Sequence, residues 1–389
     1  MKIWNEGKMK NFADVKGGKR LPKGKQLTKQ PNSHPYIRIK NLGKSKVLEL
    51  NSEYEYVDDE THKSIARYTV DSGDILISVV GTIGLIAIVG ESLDKANQTE
   101  NCDKIVNIKD LDRDYLYYYL TSSIGQEEIR KGIVGAVQPK LPLKNVQDIT
   151  VKYPTLKMQK KIVSILNIID KKIFVNDEIN RNLSEQAMAL YKKMTIDASE
   201  ECIEGVLSDV AEIVMGQSPK GDTYNEDGDG TVFYQGRAEF GDRFPTRRLF
   251  TSAPKRLAKE NTVLISVRAP VGDVNVAYEE CCIGRGLCSV GSKDNHQSFV
   301  LYTMYSLKDQ FDIYNGEGTV FGSINKDSMN GMSIQIPNKA LMDKFEEIVS
   351  PMDAVIKANY EENCRLIAMR DNLLCKLMSG ELDVSGVNI

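Results

Sequence analysis

The feature that most constrains this chain is that it is written twice. Leu76-Ile77-Ser78-Val79, then Gly84, returns 188 positions later as Leu264-Ile265-Ser266-Val267, then Gly272. Upstream, Asp14-Val15 and Pro22-Lys23-Gly24 reappear as Asp209-Val210 and Pro219-Lys220-Gly221, at offsets of 195 and 197. Downstream, Pro154, Asp170 and Asn180 match Pro337, Asp353 and Asn363, each 183 positions on. A unit of about 190 residues is far longer than the repeat of a solenoid. The 389 residues also exceed what one ordinary core organises. The chain therefore reads as a duplicated domain.

The duplication resolves a local ambiguity. Residues 75–90 carry no charge. A membrane helix needs ~20 apolar residues, and this shorter run is interrupted by Gly81 and Gly84 and ends on Gly90. Its second copy contains Arg268, Pro270 and Asp273, which exclude a membrane span. Both copies are expected to be buried strands rich in Ile and Val around a Gly turn. Met1 to Glu6 holds no apolar signal region, so a cytoplasmic location is expected. The seven cysteines contain no CxxC pair, and the adjacent Cys281 and Cys282 are poor joint ligands for one metal. They read as reduced, mostly buried thiols, with no metal site.

Each unit has two parts. The first mixes short apolar strands with Gly, Pro, Asn and Asp punctuation, the pattern of a sheet-containing α+β domain. The second follows Pro154 or Pro337, with Thr155 and Asn338 as expected N-caps, and contains no Gly over a long stretch. There the apolar positions step mostly by three and four. The first copy runs Ile162, Ile165, Ile169, Ile173, Asn176, Asn180, Leu183, Ala187, Leu190, Met194. The second runs Phe345, Ile348, Met352, Ile356, Asn359, Asn363, Leu366, Arg370, Leu373, Leu377. This is the seam of a coiled coil. The expected fold is two sheet-containing domains, 1–154 and 198–337, joined by a long antiparallel helical coiled coil with internal pseudo-twofold symmetry. Its helices come from 155–197 and from 338–389, the latter including a C-terminal tail. Pro351 is expected to kink the second helix or disrupt its first turns.

Two Asn fall at matching places in each seam: Asn176 and Asn180, Asn359 and Asn363. A buried seam Asn costs stability unless it meets a polar partner, so it selects one register. With helices over Met158–Met194 and Leu341–Leu377 the midpoints are Asn176 and Asn359. An antiparallel pair is expected to bring those two together.

Net charge is −3, so no global excess of base points to nucleic acid. The distribution says more. Residues 1–46 hold thirteen Lys or Arg and only Glu6 and Asp14 as acids; residues 237–268 hold eight bases against three acids. Residues 197–230 hold ten acids and one base, Lys220. One charge run is usually a solvated face, but two such runs, one in each copy, suggest two anion-binding surfaces. Catalytic signatures are lacking. The Gly18 to Gln26 segment has neither the spacing nor the hydroxyl of a phosphate-binding loop. Gly316-Glu317-Gly318 opens a GxG, but Phe321 occupies the place of the third Gly. There is no Asn/Asp-Pro-Pro-aromatic methyltransferase motif and no HExxH. His34, His62 and His296 are scattered, and His296 reads as part of a surface turn. Asp170-Lys171-Lys172 reads as helix surface rather than a nuclease fragment. No catalytic residue is expected.

The second unit carries Met215-Gly216-Gln217-Ser218-Pro219, Phe233-Tyr234-Gln235-Gly236-Arg237, Leu264 to Gly272 and Cys282-Ile283-Gly284-Arg285-Gly286-Leu287. This series closely resembles a target-recognition domain of Type I restriction-modification specificity subunits. The first unit is similar through Gly18 to Gly24 and Gly73 to Ser78. The resemblance covers nearly the whole chain. It departs at the helix junctions, where Met158-Gln159 replaces the family's Glu-Gln and Asn338-Lys339-Ala340-Leu341 departs further.

The resemblance implies a non-catalytic subunit that reads a bipartite site in double-stranded DNA and docks two modification (methyltransferase) subunits, with restriction subunits joining. No cofactor is implied for this chain; S-adenosylmethionine, ATP and Mg²⁺ would belong to the partners. A rod of about 55 Å spans roughly one and a half turns of B-DNA, consistent with two short sequences around an unread gap. The expected DNA-binding residues are Lys19, Arg20, Lys23 and Lys25 in the first domain. In the second they are Gln217, Ser218, Lys220, Arg237, Arg243, Arg247 and Arg248. Arg268 and Arg285 fit equally a DNA contact or a structural ion pair. Two other readings are a recognition subunit of a related bipartite system outside Type I and a coiled-coil scaffold that binds no DNA.

Overall fold

A computed structural model of the protein describes residues 4–43, 45–197, 199–315 and 322–387. The GxG segment at Gly316 to Gly318 lies outside the described residues. Contacts divide the chain into two units, Met1–Phe174 with Asn363–Ile389, and Val175–Glu362. Each holds one mixed α+β domain, and a long helix, Leu156–Lys192, extended by a π-helical turn at Lys193–Asp197, joins the two domains. A second long helix covers Lys339–Ser379.

In the first unit the incoming strand Asn5–Lys8 pairs antiparallel with the outgoing strand Thr150–Tyr153, so the domain begins and ends side by side. Between them lies a five-stranded sheet ordered Asp14–Gly17, Cys102–Val106, Ile75–Ser78, Ile86–Val89, Val47–Leu48. A three-stranded sheet, Glu55–Tyr56, Pro35–Ile37 and Asn97–Gln98, accompanies it. The uncharged run at 75–90 is the expected hairpin, and its alternating side chains enter two cores. Ile75, Ile77, Ile86 and Ile88 face Tyr115, Tyr119 and Leu120. Leu76, Ala87 and Val89 face Ile37, Leu48 and Tyr54. A hairpin covered on both faces has no place for charge.

The second unit repeats the plan. Cys202–Val206 pairs antiparallel with Ser333–Pro337. A four-stranded sheet runs Ala211–Met215, Leu287–Ser292, Val263–Ser266, Val274–Val276. A five-stranded sheet holds Thr231–Tyr234 beside Cys281–Ile283 in parallel, as Pro35–Ile37 lies parallel to Asn97–Gln98 in the first unit.

The hairpin turn is the same in both copies. Ser78 Oγ donates to Thr82 O (2.6 Å) and accepts from Leu85 N (2.9 Å). Ser266 Oγ donates to Pro270 O (2.8 Å) and accepts from Asp273 N (2.9 Å). Gly84 N and Gly272 N donate to Ser78 O and Ser266 O. Both glycines sit in the left-handed region, at φ +90° and +91°, where a side chain would be strained.

The long helices complete these cores. Ile162, Val163 and Leu166 of the first and Leu374, Leu377 and Met378 of the second join the first unit's core. Ala187, Tyr191, Phe345, Val349 and Ile356 join that of the second. Within each unit the two helices run antiparallel, because partners rise in number along one as they fall along the other. Lys161 Nζ donates to Ser385 O just beyond the second helix, and Asp170 pairs with Arg370. Asn180 pairs with Asn359, and Tyr191 packs on Phe345.

The seam positions are buried or half-buried with one exception. Ile348 is 44% exposed, and Val349 takes the inner place. Asn338 Oδ1 caps the second helix by accepting from Leu341 N (3.0 Å). Pro351 does not end that helix, which runs unbroken past it on an exposed position. Asn359, expected opposite Asn176, makes its hydrogen bond one turn further along the first helix. Asn359 Nδ2 donates to Asn180 Oδ1 (2.8 Å), and Asn176 Nδ2 donates to Glu362 Oε2 (2.8 Å).

One buried carboxyl works against stability. Asp103 faces the inside of the first sheet, and its Oδ2 has no partner among the described residues. Burial pushes its pKa up to about 6. A folded-state value above the unfolded one gives a contribution that is present below pH ~4 and lost as pH rises through about 6. Asp103→Asn is therefore expected to be more stable than the parent at pH 8, by about 1–3 kcal/mol. The gain should shrink toward zero near pH 4, as read by chemical denaturation at several pH values. An equal gain at pH 4 and pH 8 would contradict this account.

Candidate nucleic-acid interface

The glycine-rich stretches of the second domain meet at one place. Gly216 N donates to Leu287 O and Gln217 N to Ile283 O, both at 2.9 Å. Gly284 N donates to Tyr234 O (2.8 Å), and Val267 N donates to Gly286 O (2.9 Å). Ser218 Oγ accepts from Arg285 N (3.3 Å). Four segments, 216–220, 235–239, 267–273 and 284–286, are thereby tied together. Gly is required where they touch, because a Cβ on Gly216 would lie 2.1 Å from Gly284 O. Around this junction stand the exposed side chains of Gln217, Lys220, Gln235, Arg237, Arg268 and Arg285.

The first domain builds the matching junction. Gly18 N donates to Cys102 O and Lys19 N to Gln98 O, both at 3.2 Å. Thr99 N donates to Ile37 O (3.1 Å) and Val79 N to Asn101 O (2.8 Å). A Cβ on Gly18 would lie 2.0 Å from Thr99 O. Lys19, Arg20, Lys23, Arg38 and Lys40 stand exposed around it.

Many of these cations lean on acids. Arg20 pairs with Glu100 (2.7 Å), and Lys25 with Glu60 (2.6 Å) and Asp58 (3.2 Å). Arg38 (2.7 Å) and Lys40 (2.8 Å) share Glu55, and their hydrogen bonds hold its carboxyl below the usual range. Arg237 pairs with Asp273, Arg247 with Glu279 (2.5 Å), and Arg248 with Glu239 (2.6 Å) and Glu226 (3.3 Å). Exposed pairs of this kind are worth little, so such a cation can exchange its acid for a phosphate at small cost. Lys23, Lys220, Arg268 and Arg285 have no ion-pair partner among the described residues.

Arg243 stands apart from the others expected beside it. Its side chain is only 12% exposed, and it holds Asp353 of the second long helix at 2.5 Å while lying over the Tyr302 and Tyr305 rings. Its guanidinium is thus turned into the unit toward a carboxylate, unlike the exposed cations of the junction. Asp170, expected on the helix surface, and its repeat counterpart Asp353 are half-buried acceptors for Tyr118 and Tyr302. His296, expected in a surface turn, is buried and hydrogen-bonded to Asp343 (2.8 Å). His34 and His62, far apart in sequence, stack at 3.9 Å.

Arg38, Lys40 and Gln235 were not singled out from the sequence. Arg38 and Gln235 each follow the strand that runs parallel to its partner, so aligning the copies through that strand finds them. Cys102, Cys281 and Cys288 are buried, and burial pushes their thiols up to about 12, which leaves them unreactive. No group of three or more His, Cys, Asp or Glu suited to a metal occurs among the described residues, and no helix among them is long and apolar enough to cross a membrane.

Two copies of one sheet domain, each presenting a glycine-tight loop junction ringed by cations, define a duplicated nucleic-acid-reading protein. Family comparison makes this specific. The model of the Type I restriction modification DNA specificity domain matches residues 1–185 and again 201–366. The chain belongs to that family. It is 28% identical over 377 residues to a putative type I restriction enzyme MjaX specificity subunit of Methanocaldococcus jannaschii, spanning 90% of this chain and 88% of that one. It is 21% identical to the MjaIX specificity subunit of the same organism, over 98% and 94% of the two chains. Among solved structures, a Type-I restriction-modification system S subunit from M. genitalium shares the fold. Its TM-score is 0.54 and its identity 16%, covering 97% of this chain and 96% of that one.

Arg268 and Arg285, exposed and free of acid partners among the described residues, are the sharpest test of the interface. Each changed to Gln is expected to flatten the dependence of log K on log salt by about one unit in a DNA-binding titration. Unchanged slopes for both would remove the 267–286 face from the interface.

Proposed function

We propose that this chain is the sequence-reading subunit of a Type I restriction-modification complex. Each domain reads one half of a bipartite target, and the long helices keep the halves at a fixed separation. The loop junction built twice, with the same hydrogen bonds, is the observation that carries this reading. Lys19, Arg20, Lys23 and Lys25 in the first copy, and Lys220, Arg237, Arg247, Arg248, Arg268 and Arg285 in the second, are assigned to phosphate or base contact. Gln217 and Ser218 offer donors and acceptors to base edges. Arg38, Lys40 and Gln235 join them, and Arg243 leaves the set.

The two copies are taken to be related by an internal pseudo-twofold axis, with the helices as one antiparallel coiled coil and Asn176, Asn180, Asn359 and Asn363 selecting its register. Supporting this is the near-equal placement of Asp170 and Asp353, of the Ser78 and Ser266 turns, and of the junction glycines. The domain limits are taken as 1–154 and 198–337, with helices over 155–197 and 338–389, and the paired incoming and outgoing strands support that division. Two modification subunits dock on the helices and domains and methylate adenine with S-adenosylmethionine. Restriction subunits add ATP- and Mg²⁺-dependent cleavage. This chain supplies address rather than chemistry and works in the cytoplasm.

Methylome sequencing of cells with and without the gene tests the reading. Loss of one bipartite adenine-methylation motif on deletion is the expected result, and an unchanged methylome in cells that express the modification subunit would overturn it.

A further inference from the structure

Lys46 and Arg243 occupy the same place in the two copies, 197 positions apart, the offset that also separates Lys23 from Lys220. Ile88 N donates to Lys46 O, and Val276 N donates to Arg243 O, each at 2.9 Å. Ile88 and Val276 are 188 positions apart, the spacing of the repeated hairpin. Both cations leave the hairpin's edge and turn toward the long helix of their own unit.

There each meets a tyrosine from the helix that follows the sheet. Lys46 Nζ lies 4.3 Å from the centre of the Tyr118 ring, and Arg243 lies 5.8 Å from that of Tyr302. Both tyrosine hydroxyls donate to the repeated aspartate. Tyr118 bonds Asp170, and Tyr302 bonds Asp353 at 3.1 Å. The cation closes each cluster. Arg243 bonds Asp353 itself (2.5 Å), whereas Lys46 bonds Asn167 one turn before Asp170 (2.5 Å) and lies 3.7 Å from Asp114. Asp170 takes its own guanidinium from Arg370 (3.1 Å).

We infer that these two clusters, Lys46–Tyr118–Asp170 and Arg243–Tyr302–Asp353, are latches that hold each recognition domain at one angle on the long helices and so set the spacing at which its half-site is read. Half-buried charge–tyrosine contacts are directional, whereas the apolar seam beside them tolerates sliding and rotation. Adjacent base pairs along one strand are ~3.4 Å apart. A domain that pivots enough to move its loops by that distance reads its half-site one base pair out of place. The glycine junction that contacts the bases is untouched by such a pivot, so half-site identity and gap length are separable. Lys46, Tyr118, Asp170, Arg243, Tyr302 and Asp353 are positioning residues, not DNA contacts.

The inference rests on the bipartite reading and is tested in the full complex with its modification subunits. Duplexes carry the two half-sites at the native gap or at gaps one base pair shorter and longer, and adenine methylation is measured on each. Tyr302→Phe removes one hydroxyl without opening a cavity, and Arg243→Met combined with Tyr302→Phe removes the latch at nearly constant volume. Methylation of the altered-gap duplexes, relative to the native one, is expected to rise at least about fivefold, with the half-site sequences unchanged. Arg243→Lys, which keeps a cation over the ring, is expected to restore most of the strictness. A folded Tyr302→Phe complex and a folded double variant that both stay as strict as the parent would overturn the latch. So would relaxed half-site sequences at an unchanged gap. If the double variant does not assemble, Tyr302→Phe alone decides. A parent complex that methylates no bipartite duplex would instead overturn the underlying reading.

Discussion

Neither sheet domain closes its core without the long helices. In the first unit, Ile162, Leu166, Leu374 and Leu377 pack into one apolar cluster with Ile75, Ile105 and Tyr119. In the second, Ala187, Tyr191, Phe345 and Val349 do the same with Val263, Val290 and Phe299. Each fully buried aliphatic side chain contributes about 1.5–3 kcal/mol, so detaching a domain from its helix segment would expose several such groups at once. The domains are therefore built onto the helices rather than tethered to them.

The shared core also explains why the backbone enters and leaves each domain on adjacent antiparallel strands. Asn5–Lys8 against Thr150–Tyr153, and Cys202–Val206 against Ser333–Pro337, bring both ends of a domain to the helix junction. The loops that gather Gly216, Gly284 and Gly286, or Gly18 and Thr99, are then free to vary in side chain while the backbone junction stays fixed. Recognition can change in the exposed Lys, Arg and Gln around such a junction without disturbing the apolar layers beneath.

How far the sequence discloses this depends on the physics of each feature. The strands at 75–89 and the helical seams were legible because burial imposes a period on apolar residues, and the second copy removed the membrane alternative. The register of the seam was not. Two antiparallel alignments a turn apart both bury the same four Asn, and only side-chain geometry selects Asn180 for Asn359. Nor does a basic residue reveal which way it faces. Arg243 and Arg247 lie four residues apart in one basic run, yet one is buried against Asp353 and the other pairs on the surface with Glu279. Lys46 and Arg243 share the 197-residue offset of Lys23 and Lys220, but they differ in residue type and stand in no repeated word, so the backbone hydrogen bonds to Ile88 and Val276 are what expose the equivalence. Of the charge pattern, the sequence disclosed two basic stretches, and the fold shows which of their side chains are exposed.

The central claim is that this chain measures a distance as well as reading two short sequences. The most direct measurement inserts one whole heptad at matching depth in both helices, between Asn180 and Leu183 and between Ile356 and Asn359, and sequences the methylome. The inserted heptad keeps the seam period and the four Asn while adding about 10 Å of rod. Two unchanged half-sites separated by a longer gap are the predicted result. The same gap with altered helices, in an assembled and active complex, would contradict the account.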